Sequence, residues 1–356
     1  MTHPTPIRRV PGYRPRVLGL CAGYGGLEEA IGAGTGGMPV AYAENDPYAA
    51  AVFAAHHPGV PNLGDITRID WERVRDLYRP DIVGAGFPCR NISNAGRRDG
   101  INGQWSRVWK NVAAAVGVIR PRYVFLENVA ALRSRGLDVV AADLAAHGYD
   151  VRWTCLRAGD PEIGAPHTRD RWFALAHPAD AEPHHLGRHW RPRHQPETQG
   201  WAEPAYSGDA PSPRLRLLPT PKASDGPHGG PNQRDTSGRY YLPGQAVRLD
   251  PMWVASDGTD YGPAIRRWEH ITGRQAPCPT EPGTRGNRRL SPAFAEWLMG
   301  LPAGWVTNVP DIPRKEQLRI IGNGVVPQQA TYAYAWLLGV VPAAWNTTAP
   351  LEVAVA

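Results

Sequence analysis

Residues 84–96 read GAGFPCRNISNAG. Cys89 follows a strand-like run, DIVGAG, so it falls at the carboxyl edge of a sheet, where open α/β folds place their sites. Phe87 and Pro88 stiffen its approach, and Asn91, Ser93, Asn94, Gly96, Arg97 and Arg98 make the segment after it polar. A Gly/Pro-framed loop with nearby cations favours thiolate, the nucleophilic form. A buried structural thiol is the commoner fate of a lone cysteine, and its mark is an apolar, periodic setting. Cys21 and Cys155 lie inside apolar runs and read as packing. Glu127 closes the run YVFL and brings a carboxyl group to the same edge, as a reactive group or as a helix cap. Arg169 and Arg171, in GAPHTRDRWFALA, stand before another run, and strand alternation directs both to one face.

A second set of residues suits a nucleotide-like ligand. In VLGLCAGYGGLEEAI, Gly23, Tyr24, Gly25 and Gly26 separate a strand-like run from a helix opener. Glycines there let a ligand approach the backbone. The pattern is not G-x-G-x-x-G, because the sixth position is Glu28, and Glu28 with Glu29 at a helix mouth would repel a pyrophosphate. Glu44 ends the next expected strand about twenty residues after the glycines, where a carboxylate can bind ribose hydroxyls. Asp65, in GDIT, stands at another expected strand end. Together they suggest an adenosine-type ligand without phosphate.

The elements that must position these groups form an alternating series. The apolar runs VLGL, VAYA, DIVGAG, YVFL, VRWTCL and WFALA alternate with helical segments, 105–119 and 137–147 among them, stopped by Pro121 and Gly148. That alternation argues an α/β fold with a mostly parallel sheet and crossover helices. Residues 178–288 turn dense in Pro, Gly, His and Arg. Trp190, Trp201, Trp253, Trp268, Tyr240 and Tyr241 make this a small irregular domain rather than a disordered linker. Order returns at 289 with RLSPAFAEWLMGLP, and Pro327 opens a last helix running to about residue 338. No internal repeat is apparent.

The chain has 356 residues, 42% of them apolar, and a formal charge of +6. Only Lys110, Lys222 and Lys315 are lysine, so arginine carries the positive charge. Its planar fork suits phosphates and base edges, although GC-rich codons alone would produce the same bias. The four cysteines form no C-x-x-C pair, which signals neither a disulfide framework nor a cysteine zinc site, and a reducing compartment is expected. With no apolar run of transmembrane length and no apolar stretch in MTHPTPIRRV, the expectation is a soluble, cytoplasmic protein.

In several ordered blocks the sequence resembles the DNA cytosine-5 methyltransferases. AGYGG resembles their cofactor loop, GFPCRNISNAG the nucleophile loop, LENV the glutamate motif and GAPHTRDR the arginine motif. RLSPAFAEWLMGLP is similar to the block after the target-recognition region, and GNGVVPQQA to the closing motif. The resemblance implies a Rossmann-like S-adenosylmethionine-dependent fold: an extension at 1–15, a catalytic and cofactor-binding domain at 16–177, target recognition at 178–288, a returning segment at 289–340 and a tail at 341–356.

It further implies that Cys89 is the nucleophile, Glu127 the acid at ring nitrogen 3, and Arg169 the residue that helps hold a flipped base, with Arg171 in support. Ala22, Gly23, Tyr24, Gly25, Gly26 and Leu27 would hold the methionine part of S-adenosylmethionine, Glu44 the ribose, and Asp65 with Ile66 the adenine. Asn45, Pro88, Asn323 and Val325 belong to the same implied pocket. Arg90, Ser93 and Arg97 would touch DNA. Double-stranded DNA is the implied partner, with a restriction endonuclease of the same site as a further one, and a monomer the implied state; no metal is expected. Gly19 and Cys21 depart from the family's acid and phenylalanine, and Arg90 and His167 each replace a glutamine. An RNA-directed relative, a non-catalytic DNA-binding relative and a nicotinamide dehydrogenase are the competing readings. The long insert, the presence of Cys89 and Glu127, and the missing sixth glycine argue against each in turn.

Overall fold

A computed structural model of the chain describes residues 13–88, 106–179, 215–283 and 286–339. Its first half alternates strand and helix: β1 (Arg16–Leu20), α1 (Gly26–Thr35), β2 (Met38–Ala43), α2 (Pro47–His56), α3 (Trp71–Tyr78), β3 (Ile82–Gly86), α4 (Ser106–Ile119), β4 (Tyr123–Val129), α5 (Leu132–Arg135), α6 (Leu137–Ala146), β5 (Tyr149–Arg157) and β6 (Asp170–Pro178). The sheet runs β2-β1-β3-β4-β6-β5. Strands β1 to β4 pair in parallel, and β6 lies antiparallel between β4 and β5. The order reverses between β1 and β3, which opens a crevice at their carboxyl ends.

Side-chain alternation along these strands fills both faces. Leu18, Leu20, Val83, Ala85, Leu126 and Trp172 face α3, α4 and α6, where Val74, Trp109, Val116 and Leu144 meet them. Val17, Ile82, Phe125 and Phe173 face α1 and a C-terminal helix. Short polar side chains fix where helices begin: Asp46 accepts from Ala49 N at 2.9 Å and Asp70 from Arg73 N at 3.1 Å. Asp65 does the same for a 3₁₀ turn at Ile66–Arg68, accepting from Thr67 N at 2.9 Å, so it stands at a turn start rather than at a strand end.

The rest of the described chain adds α7 (Leu242–Ala246), α8 (Gly262–Thr272), β7 (Thr280–Pro282), β8 (Arg288–Leu290), α9 (Pro292–Leu298), α10 (Arg314–Asn323) and α11 (Pro327–Leu337). A separate core of Leu218, Leu242, Ile265, Trp268, Phe294, Trp297 and Ile321 takes residues from both sides of position 288. Tyr24, Ala49 and Val52 from the first half join it. Helix α11 returns to the sheet through Ala330, Ala333, Tyr334 and Leu337.

Two hairpins of like geometry lie in this part of the chain. Tyr241 N donates to Gln233 O at 3.1 Å and Tyr261 N to Trp253 O at 3.0 Å, closing two hairpins of equal length. Each turns through a left-handed glycine, Gly238 and Gly258, and leads into a helix carrying a proline in its first turn, Pro243 in α7 and Pro263 in α8. Glycine, tyrosine and proline at matching positions are what the two hairpins share prominently, too little to stand out as a repeat.

Glu28 in α1 is buried, and among the described residues its carboxyl oxygens meet no hydrogen-bond donor from another residue. Burial pushes its pKa up to about 8, and Glu29 and Glu44 add to the rise. The unfolded carboxyl titrates near ~4.3, so the folded value is the raised one, and stability present below that pH is lost as pH climbs toward about 8. Thermal unfolding of Glu28→Gln at pH 5 and pH 8 should show a smaller gap than the wild type; an unchanged gap would refute this account of Glu28.

Candidate active site

Register sets the central pair. Glu127 in β4 lies opposite Gly86 of β3 on one side and Phe173 of β6 on the other, with Val129 opposite Arg171. Glu127 and Arg171 therefore share a face of the sheet, and Arg171 Nε stands 2.9 Å from Glu127 Oε1. The carboxyl group is buried, and burial raises its pKa although Arg171 and Arg169 pull it down. Gly86 keeps the space beside it open: a Cβ there would lie 3.8 Å from both Glu127 Oε2 and Cys21 O.

The neighbouring Asn128 Nδ2 donates to Phe87 O at 3.0 Å, and the Phe87 ring packs on Trp109 at 5.0 Å. The glutamate strand thus grips the backbone two residues before Cys89. Cys89, Arg90, Ser93 and Arg97 lie outside the described residues, and the description of that segment ends at Pro88.

Arg169 takes a different position from its partner in the motif. It precedes β6, is 2% exposed, and its guanidinium reaches backbone carbonyls: Nη1 donates to Pro221 O at 3.3 Å and to Gly322 O at 3.3 Å, and Nη2 donates to Gly324 O. The sequence reading placed Arg169 at a flipped base, with Arg171 in support, and paired neither with Glu127; the ion pair with Glu127 is made by Arg171. Alternation along the chain assigns a face; it does not say which residue of that face meets the carboxylate. His167 is buried, with Nε2 2.9 Å from Leu298 O, and burial, reinforced by Arg169, pushes its imidazole down to about 3. It ties this loop to α9 as a neutral group.

The glycine loop sits at the mouth of α1. Gly23 and Gly25 take φ of 58° and 88°, left-handed values that glycine adopts without strain. Glu44 accepts from Gly23 N at 2.9 Å and from Asp46 N at 2.8 Å, so one carboxylate holds the loop in shape. Asn62, which the sequence gave no reason to single out, braces Glu44 by accepting from its N–H at 3.1 Å and donating to its carbonyl at 2.9 Å. Leu27 points into the core with Ile31, Ala22 and Ile66 are buried, and Asn45 is exposed.

Tyr24 is buried; its hydroxyl donates to Val325 O, and Trp305 Nε1 donates to Tyr24 O at 3.0 Å. Trp305, also missed, stacks on His56 at 3.6 Å. Asn323 is exposed between two glycines.

This arrangement fits an adenosine-type ligand that carries positive rather than negative charge. Glu44, partly exposed beside the loop, opposes phosphate and suits a cation, whereas burial holds Glu28 toward its neutral form. The departure at Gly19 has a physical counterpart, since a Cβ there would lie 2.3 Å from Glu28 Oε1, so a carboxyl from α1 fills the space beside it. Cys21 is partly buried against the core, and burial pushes its thiol up. Among the described residues no cluster of metal-binding side chains occurs, and no helix is long and apolar enough to cross a membrane.

A sequence model of the family described as C-5 cytosine-specific DNA methylase matches residues 16–214, more than half of the chain. The type II methyltransferase M.CviJI of Paramecium bursaria Chlorella virus IL3A is 33% identical over 173 residues, covering 48% of this chain and 45% of the relative. M.NlaX of Neisseria lactamica is 32% identical over 165 residues, covering 45% and 51%. The matched part thus spans about half the length of these curated relatives. Among solved structures, Entamoeba histolytica methyltransferase EhMeth superposes with a TM-score of 0.58 at 13% identity, covering 91% of this chain and 98% of that one. A mutant of Spodoptera frugiperda DNMT2 gives 0.55 at 15% identity, covering 91% and 99%. At such identities the superpositions establish the fold.

The Glu127–Arg171 contact has a direct consequence. Arg171 lowers the Glu127 pKa, so Arg171→Gln should raise it further above the ordinary carboxylate range. Carbon-13 titration of the Glu127 carboxyl would register the rise; an unmoved midpoint would remove the contact from the account.

Proposed function

The chain belongs to the C-5 cytosine-specific DNA methylase family, and on that premise we propose that it methylates carbon 5 of a cytosine in duplex DNA, with S-adenosylmethionine as cofactor. The observation that carries the proposal is the buried Glu127–Arg171 pair at the strand edge beside the Phe87–Pro88 approach to Cys89. Carbon 5 is a poor nucleophile until a thiolate adds to carbon 6. Cys89 makes that bond, and negative charge develops toward ring nitrogen 3. Glu127 meets it with a hydrogen bond or a proton, and burial raises its pKa, the direction that favours proton donation, although Arg171 pulls it down. When bound, S-adenosylmethionine supplies an electrophilic methyl group. Loss of the carbon 5 proton then expels the Cys89 thiol and restores the ring.

The loop of Ala22, Gly23, Tyr24, Gly25, Gly26 and Leu27, with Glu44, Asp65, Ile66, Asn323 and Val325, forms the proposed cofactor pocket. A stacked cytosine is out of reach, so the base must flip out, at a cost of roughly a few kcal/mol that contacts to flanking DNA offset. The paired hairpins at 233–241 and 253–261 belong to the region proposed to read the target. The first of them carries Arg234 and Arg239, both exposed. The type II names of the sequence relatives support a restriction endonuclease of the same site as a functional partner.

Incubation with methyl-labelled S-adenosylmethionine should place label on cytosine in duplex DNA. Cys89→Ser should abolish labelling, and Glu127→Gln should slow it by about 10²- to 10⁴-fold. Label confined to RNA, or retained by Cys89→Ser, would overturn the proposal.

A further inference from the structure

We infer that Arg169 is a positioning residue of the cofactor pocket, fixing Asn323 from beneath, and not a group that touches the target base; the inference rests on the S-adenosylmethionine reading above. Helix α10 ends at Asn323, where the cap N–H of Gly324 serves Ile320 O and Ile321 O and leaves the Gly322 carbonyl to a donor from outside the helix. Arg169 supplies one. Its Nη1 and Nη2 donate to Gly322 O at 3.3 and 3.4 Å, and Nη2 also donates to Gly324 O. One rigid, planar cation therefore holds the carbonyls on both sides of Asn323 and leaves that side chain turned outward, where it is exposed. A cation at a helix C-terminus is also favoured by the helix dipole.

The two glycines let the backbone come this close. A Cβ on Gly322 would lie 2.1 Å from the Lys222 carbonyl carbon, and one on Gly324 would lie 1.8 Å from Tyr24 Cε1. The same segment is held from the opposite side, because the Tyr24 hydroxyl donates to Val325 O. Tyr24 belongs to the glycine loop, and Trp305 Nε1 fixes its carbonyl at 3.0 Å. Asn323 is thus suspended between a guanidinium from the start of β6 and a phenol from the cofactor loop. On its other flank Arg169 holds Pro221 O at 3.3 Å, and its N–H donates to Thr220 Oγ1 at 2.8 Å. The base-facing carboxyl, Glu127, is left to Arg171.

The test is binding of S-adenosylhomocysteine to the full chain without DNA, by calorimetry. Arg169→Met should raise Kd by roughly tenfold, the effect of losing charged hydrogen bonds to backbone carbonyls. Arg169→Lys should weaken binding as well, because one ammonium cannot span the same carbonyls. Arg75→Lys, at an exposed position of α3 away from the pocket, should leave Kd within about twofold. Tyr24→Phe should weaken binding, and the double variant with Arg169→Met should raise Kd by less than the product of the single effects, because both side chains hold one segment. Wild-type affinity in Arg169→Met, or effects that multiply, would overturn the inference. If Arg169→Met does not fold, Arg169→Lys decides by the same criterion. A wild-type chain that fails to bind S-adenosylhomocysteine at all would instead overturn the methyltransferase reading.

Discussion

The pairing of a buried carboxyl with a guanidinium at one edge of the sheet is the constraint around which the rest is arranged. Burying Glu127 without a partner would cost several kcal/mol, and Arg171 at 2.9 Å offsets part of that cost. The offset is incomplete, so the group stays a weaker acid than an exposed glutamate. Three strands fix this geometry through register alone, with Gly86 on one side of Glu127 and Phe173 on the other. Asn128, next along β4, carries the same order into the backbone that leads to Cys89.

A second constraint comes from chain topology. Tyr24 and Val325 lie 301 residues apart in sequence and meet through one hydrogen bond. The glycine loop is shaped locally by Glu44 and Asn62, but its outer wall comes from the far end of the chain. Helix α11 holds that end in place by packing Ala330, Ala333 and Tyr334 against the sheet, and the Tyr334 hydroxyl donates to Leu126 O at 3.0 Å. The proposed cofactor pocket is therefore completed only when the C-terminal segment returns, which couples its formation to the fold as a whole.

Much of this was legible in the sequence. The runs VLGL, DIVGAG and YVFL lie in strands β1, β3 and β4, and the helical spacing over 137–147 corresponds to α6. The sequence placed Glu127 at the close of its strand, whereas β4 continues to Val129; its place at the sheet's carboxyl edge comes from lying opposite Gly86, the last residue of β3. Partner choice was not legible, since it depends on register between strands far apart in sequence. Arg171 rather than Arg169 meets Glu127 for that reason. The braces Asn62 and Trp305 act through backbone atoms and stacking, which leave no motif. The paired hairpins are defined by backbone hydrogen bonds while most of their side chains differ, so the sequence carries little sign of them. The glycine at position 19 leaves room for the Glu28 carboxyl from α1, a contact that no local motif encodes.

The central claim, that Cys89 and Glu127 act together on carbon 6 and nitrogen 3 of cytosine, is tested most directly by trapping. Duplex DNA with 5-fluorocytosine at the target position has no carbon 5 proton to lose, so the thiol could not be expelled after methyl transfer. In the presence of S-adenosylmethionine the account predicts a denaturant-stable complex of one chain per duplex, with the DNA attached to the peptide containing Cys89. Absence of such a complex, or attachment at Cys21, Cys155 or Cys278, would contradict it.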